Sequence, residues 1–367
     1  MKGLYIHIPF CRKKCAYCDF VSYVGCEDFF DRYISAAEKE MSRYKGEKID
    51  TVFVGGGTPS ILADSQLERL FGAIYKTFRV ADSAEITIES NPGTLSFQKL
   101  LKMRDLGINR LSIGVQSFDD GELAAIGRIH DAAAAFCAVE EAKKAGFSNI
   151  NLDIMFSLPR QTRQSFAETL EKAIETGVRH ISCYSLILEE NTPLYKEYES
   201  GKFELNDDET DRSIYEYACR RLQKAGYVQY EISNFCMPGY ECRHNLKYWD
   251  CDEYIGIGAA AHSYYESKRY RNTTSLTKYI SGEYREGGAE KITREESIKE
   301  FMIMGLRKTR GISKHEFAKR FGTDVMSVFA NEIKKFVSAG LMEEKDGFIR
   351  LTFDGINVSN SILCEFV

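Results

Sequence analysis

Hydrophobic positions in the first half of the chain follow two alternating rhythms. Short β-branched or aromatic runs at Leu4–Ile8, Thr51–Val54, Ala84–Glu89, Arg110–Val115, Asn149–Met155 and His180–Leu188 predict strands. Between them, apolar side chains recur at steps of three and four. Phe30, Tyr33, Ile34, Ala37 and Met41 share one helical face, and the stretches at about 64–78, 97–106, 132–145 and 164–176 repeat the pattern. Gly107, Gly146 and Gly177 follow three of these helices just before the next strand, where a left-handed C-cap favours glycine. Successive β/α units predict parallel strands with crossover helices, hence an α/β fold. Eight units close a full barrel. The six counted here predict a partial (β/α)6 TIM-like barrel with its chemistry at the C-terminal strand ends.

After residue 207 the rhythm loosens into one helix, Ile214–Ala225, a strand-like Val228–Phe235 and an irregular stretch dense in aromatics. A new module begins near 297. It reads as helix Ser297–Leu306, a turn at Gly311, helices Lys314–Phe321 and Val325–Ala339, then a hairpin over Leu341–Thr352 turning at Asp346-Gly347. That order predicts a winged-helix-like domain. The expected organisation is a barrel over 1–235, a connecting aromatic-rich region over 236–296 and the C-terminal domain over 297–367. A chain of 367 residues has room for one large and one small domain.

Charge and cysteine usage narrow the partners. The formal net charge of −5 argues against a nucleic-acid binder, so the winged helix reads as a packing or capping domain. The N-terminal apolar run Leu4–Phe10 ends in Arg12-Lys13-Lys14; it is too short to span a bilayer and lacks a small-residue cleavage site. No transmembrane segment is expected elsewhere. Eleven cysteines, an odd number, fit a disulfide framework poorly. The cytoplasm is the expected address, because thiols stay reduced there and can hold metal.

Cys11-Arg12-Lys13-Lys14-Cys15-Ala16-Tyr17-Cys18 places three thiols in eight residues directly after the first strand. A loop of this kind can wrap one face of a cubane [4Fe–4S] cluster and ligate three irons, leaving the fourth open to a small molecule. Zinc is the competing metal, although it wants four close donors, and His7, the possible fourth, lies within the strand. Further chemistry-bearing residues fall at the following strand ends. Gly55-Gly56-Gly57-Thr58 closes the second strand, Glu89 the third, Gln116 the fourth with Arg128 soon after, and Asp153 lies in the fifth. Glycines there let backbone approach a ligand and expose N–H groups. The polar residues, on physics alone, mark a shared mouth.

The run Tyr5-Ile6-His7-Ile8-Pro9-Phe10-Cys11 with Cys15 and Cys18 resembles the radical S-adenosylmethionine (radical SAM) family of the HemN/HemW type. The resemblance covers essentially the whole chain. It implies a [4Fe–4S] cluster on Cys11, Cys15 and Cys18, with S-adenosylmethionine (AdoMet) held at Tyr5, Gly56, Gly57, Thr58, Glu89, Gln116, Arg128 and Asp153. The dehydrogenase branch carries a fourth cysteine two positions after the third, where this chain has Phe20 in Cys18-Asp19-Phe20. It also carries an N-terminal extension absent here. His244-Asn245-Leu246-Lys247-Tyr248-Trp249 matches H-N-x-x-Y-W, a motif associated with the HemW branch, and makes His244 a candidate haem ligand. A buried, hydrogen-bonded imidazole is the plainer reading of His244; Cys236, Cys242 and Cys251 nearby read as small hydrophobes. The resemblance therefore implies a haem chaperone that binds haem as cargo and delivers it to an acceptor haemoprotein such as a membrane cytochrome. The alternative is an oxygen-independent coproporphyrinogen III dehydrogenase, decarboxylating propionates to vinyls through a 5′-deoxyadenosyl radical.

Overall fold

A computed structural model describes the whole chain, Met1 to Val367. Its centre is a run of parallel strands, β1 (Lys2–Ile8), β2 (Lys48–Gly56), β3 (Arg79–Ser90), β4 (Arg110–Gln116), β5 (Asn149–Phe156) and β6 (His180–Ser185), each hydrogen-bonded to the next in order. Helices α1 (Phe30–Met41), α2 (Asp64–Thr77), α3 (Phe97–Asp105), α4 (Asp120–Ala125), α5 (Ala132–Lys144) and α6 (Arg163–Glu175) lie in the crossovers. This is the partial barrel that the alternating rhythm predicts.

Side chains alternate across each strand, which divides the two faces chemically. Leu4, Ile6, Val52, Val54, Ile86, Ile88, Leu111, Ile113, Ile150 and Leu152 join one core with the apolar stripes of the helices, including Tyr33, Ile34 and Met41 of α1 and Leu67, Leu70 and Ile74 of α2. The other face is polar. Asn151 donates to Ser112 Oγ at 2.8 Å and to Asp153 Oδ1 at 2.9 Å, Ser182 donates to Asn151 Oδ1 at 3.1 Å, and Tyr184 donates to Gln116 Oε1 at 3.3 Å. The barrel interior is thus a largely hydrogen-bonded polar lattice, with Thr87 Oγ1 and Arg110 Nε left without a partner, and not an oily plug.

Both edges depart from the sequence expectation. The strand expected over Val228–Phe235 is two short antiparallel strands, Val228–Gln229 and Asn234–Cys236. The Glu231 carboxylate breaks the run by accepting from the Ser233 N–H at 3.0 Å and from the Asn234 amide, which closes a turn. The strand expected to reach Leu188 ends at Ser185. The region 236–296, expected as a connection, carries the opposite flank of the same twelve-stranded sheet. Tyr254–Ile257 pairs in parallel with β1, and His262–Tyr265, Lys268–Asn272 and Arg285–Lys291 extend it antiparallel.

Glu40 of α1 ties this flank to the barrel. Its buried carboxylate accepts from the Gly258 N–H at 2.9 Å, Asn272 Nδ2 at 2.7 Å and the Tyr279 hydroxyl at 2.6 Å. Glu40→Gln keeps the shape but turns an amide NH2 toward one of these donors, leaving a buried pair of opposed hydrogens. We expect it to cost about 2 kcal/mol of unfolding free energy, measured by urea denaturation.

The C-terminal domain has its own core of Phe301, Phe317, Phe321, Ile333, Phe336 and Ile349. Helices Arg294–Gly305, Lys314–Phe321 and Val325–Ser338 pack with strands Ile312–Ser313, Met342–Lys345 and Phe348–Leu351 in winged-helix order. Two short helices, Phe353–Asn357 and Ser359–Leu363, follow the hairpin. No helix is long and apolar enough to cross a membrane.

Candidate cofactor site at the barrel mouth

The cysteine loop leaves β1 at its C-terminal end and is held from several sides. Cys11 N–H donates to Tyr23 O at 2.9 Å and Tyr23 N–H to Pro9 O at 2.7 Å, so the loop closes on its own stem. Ala16 N–H donates to Ile126 O at 3.0 Å, tying the middle of the loop to the end of α4. Beneath it, the His7 ring bridges the Tyr5 hydroxyl and Val21 O, both at 2.9 Å. His7 therefore serves the loop as a strut. Its ring is spent on those contacts, and burial holds its pKa below the usual imidazole value.

The glycine turn of β2 runs against this loop. Gly57 N–H donates to Ile8 O at 2.9 Å and Thr58 N–H to Phe10 O at 2.7 Å. Such an approach excludes side chains: a Cβ on Gly57 would lie 2.6 Å from Phe10 O. At Gly56 the φ of +108° is one that L-residues rarely adopt, and a Cβ would fall 2.4 Å from the His7 ring. Gly56 N–H is free to donate to Glu89 Oε2 at 2.9 Å. The cysteine loop, the glycine turn and Glu89 are locked as one unit.

Two sulfurs already face donors. Thr58 Oγ1 lies 3.5 Å from Cys11 Sγ, and Arg128 Nη1 lies 3.3 Å from Cys15 Sγ. Arg128 is held by Asn91 Oδ1 at 2.6 Å and by Gly114 O, and Asn91 in turn donates to Thr58 Oγ1 at 2.9 Å. Burial raises the thiol pKa of Cys11, and that of Cys18 to about 11. All eleven cysteines are free, and no three His, Cys, Asp or Glu side chains stand close enough to grip one ion. Three half-buried thiols on one loop, two of them offered hydrogen-bond donors, suit several irons of a cluster better than one tetrahedral zinc.

Cys11, Cys15, Cys18, Gly56, Gly57, Thr58, Glu89, Gln116, Arg128 and Asp153 converge on a single cavity of about 420 Å³. Tyr5 is set below it, its hydroxyl on His7 and its pKa raised by burial and by the charge of Glu89. Tyr184, Asn91 and Ser112 also line the cavity, unnoticed in the sequence. A period of two along β6 from Ser182 would have pointed to Tyr184.

Glu89 and Asp153 share this enclosed space, and burial raises both carboxyl pKa values. Glu89 is pushed up to about 7, with the charge of Asp153 adding to the effect. A carboxyl whose folded pKa exceeds its unfolded value takes up its proton more readily when folded. Its contribution to stability is present below the unfolded carboxylate range and is lost as pH rises through about 7. Ligand-free protein is therefore expected to lose on the order of 1–2 kcal/mol between pH 5 and pH 8 from this group, and Glu89→Gln to flatten that slope in pH-dependent urea melts.

His244 does not join the cavity. It sits on the helix Arg243–Trp249, buried, with Nδ1 on Thr51 Oγ1 at 2.9 Å, Nε2 on the Tyr248 hydroxyl at 2.9 Å and its ring stacked on Phe53. Burial and the charges of Lys247 and Arg110 push its pKa down to about 3. Both ring nitrogens are engaged, so this arrangement presents no lone pair to a haem iron. Its geometry is that of the plainer reading, a core imidazole. Cys236 and Cys242 are fully buried beside it.

Residues 5–173 match the Radical SAM superfamily and residues 292–358 the HemN C-terminal domain. The chain is 37% identical to the Heme chaperone HemW of Bacillus subtilis, over 100% of this chain and 99% of that protein. It is 34% identical to the Heme chaperone HemW of Escherichia coli, over 100% of this chain and 98% of that one. Among solved structures, coproporphyrinogen III oxidase (HemN) from Escherichia coli superposes with a TM-score of 0.86 at 24% identity, covering 99% of this chain and 89% of that one.

Proposed function

The chain belongs to the HemW family of radical SAM proteins, and from that premise we propose that it is a cluster-bearing haem chaperone passing haem to acceptor haemoproteins. Cys11, Cys15 and Cys18 would hold a [4Fe–4S] cluster, and AdoMet would lie against Gly56, Gly57, Thr58, Glu89, Gln116, Arg128 and Asp153, with Tyr5 supporting from beneath. The convergence of those ten residues on one cavity carries the reading. When bound, the cluster supplies a source of single electrons and an iron position without a protein ligand.

The chain's own residues supply orientation. Arg128, pinned by Asn91 and Gly114 O, offers a fixed guanidinium for a carboxylate, and the planar fork makes that contact directional. Arg128 and Thr58 direct hydrogens at the Cys15 and Cys11 sulfurs, an outer layer of contacts that would orient sulfurs bound to metal. Glu89 and Asp153, whose ionised forms burial disfavours, would gain from a cationic ligand such as the sulfonium or ammonium of AdoMet.

Phe20 favours the chaperone over the dehydrogenase, because it puts a phenyl ring where that branch carries a thiol. The acceptor proposed is a haemoprotein such as a membrane cytochrome. The test is a haem titration of anaerobically reconstituted protein, run beside an assay with coproporphyrinogen III, AdoMet and a reductant. Saturable haem binding with no protoporphyrinogen IX supports the chaperone; turnover of the porphyrinogen would overturn it.

A further inference from the structure

We propose that the rim of the cofactor cavity is the docking face for the tetrapyrrole, recognised by its apolar plane and its carboxylates and not through an axial histidine. The proposal rests on the haem-carrier reading and deepens it. Ile187 is 70% exposed and Phe20 is 64% exposed; apart from the chain ends, Met1 and Val367, no other large hydrophobic residue is so open to water. Both line the same cavity. Phe20 comes from the loop after β1 and Ile187 from the segment after β6, so the two ends of the partial barrel each lend one apolar side chain to one opening. Ile129, 52% exposed, borders an adjoining recess that shares Cys15, Thr58 and Arg128 with the cavity. Large apolar groups gathered at one opening are unfavourable in water and favour a flat apolar partner.

Charge sets the partner's polar end. Lys13 and Lys14 stand on the rim and Arg12 on the adjoining recess, all from the cluster loop, against Asp19 and Glu189 as the exposed acids of the same rim. Lys14 Nζ donates to Phe20 O at 3.0 Å, so cation and ring are held on one short segment. Propionate carboxylates beside an apolar macrocycle complement that juxtaposition. No histidine lines the cavity or the recess, and both ring nitrogens of His7 and His244 are occupied. The exposed rim thus offers an apolar surface to the macrocycle and cations to its carboxylates, and no histidine to its metal.

The test titrates the reconstituted, full-length protein anaerobically with haem, metal-free protoporphyrin IX and protoporphyrin dimethyl ester, following the porphyrin absorbance after subtracting the cluster. Wild type is expected to bind metal-free porphyrin within a few-fold of haem and the ester more weakly. Ile187→Ser, remote in sequence from the cysteines, should weaken haem binding about tenfold with iron content unchanged, and Phe20→Ser similarly. The pair Lys13→Glu and Lys14→Glu should weaken haem but leave the ester unaffected. Saturable haem binding that both serine variants retain at wild-type strength would overturn the docking face while the haem-carrier reading stands. Haem binding without any binding of metal-free porphyrin would overturn it in favour of an iron ligand. If wild type binds no haem, both readings fall together.

Discussion

Cys15→Ala is expected to leave the reconstituted protein without its cluster, with iron falling to the background of the unreconstituted chain. Three thiolates on one loop are the whole protein ligand set proposed, and none of the remaining eight cysteines shares their cavity. Two ligands are too few to hold a cubane against loss to solvent when the other two of its four irons are open. The fold should survive. Cys15 is half-buried, its loop is anchored through Cys11 N–H, Ala16 N–H and the His7 strut, and the barrel core lies on the opposite face of the strands. Iron analysis with far-ultraviolet circular dichroism separates the outcomes. Unchanged iron with native dichroism would refute the assignment of Cys15.

Gly56→Ala is expected to weaken AdoMet binding about a hundredfold or more while the cluster still assembles. The methyl group meets two obstacles. The φ of +108° is unfavourable for any L-residue, and the new Cβ would stand 2.4 Å from the His7 ring. Relief requires the turn to rotate, which takes the Gly56 N–H away from Glu89 and lets that carboxylate swing in the cavity. Backbone strain of 1–3 kcal/mol together with a lost charge-assisted hydrogen bond sums to about 3 kcal/mol, or roughly two powers of ten. The readout is the AdoMet dissociation constant of reconstituted variant and wild type. The cysteine loop reaches the turn through Gly57 and Thr58 backbone, so iron content should fall little.

The barrel was legible because its strands are buried on the helix side over nearly their whole length. Runs such as Ile86-Thr87-Ile88 and Asn149-Ile150-Asn151-Leu152 carry that burial in their composition. The cysteine motif was legible because its members are local in sequence, and the strand-end residues because a parallel barrel gathers its strand ends in one place. The flank at 254–291 escaped notice because its strands are short and two of them, Lys268–Asn272 and Arg285–Lys291, are highly charged. Lys268-Arg269-Tyr270-Arg271-Asn272 has no apolar alternation, and the one pairing that joins the flank to the barrel, Tyr254–Ile257 on β1, lies across the chain. His244 shows a different limit. Residue type makes imidazole a haem ligand in principle, but its availability depends on Tyr248 one helical turn on and on Thr51, 193 residues away, and no local pattern reports the second. The rim is similar, since an exposed Ile187 and Phe20 look unremarkable until both are found on one opening.

The most direct test is electron paramagnetic resonance of the reduced, anaerobically reconstituted wild-type protein before and after addition of AdoMet. A reduced cubane signal whose g-values move with AdoMet is the expected result, because the ligand would occupy the iron that Cys11, Cys15 and Cys18 leave open. A protein that takes up zinc in place of iron, or a cluster signal that AdoMet leaves unmoved, would contradict it.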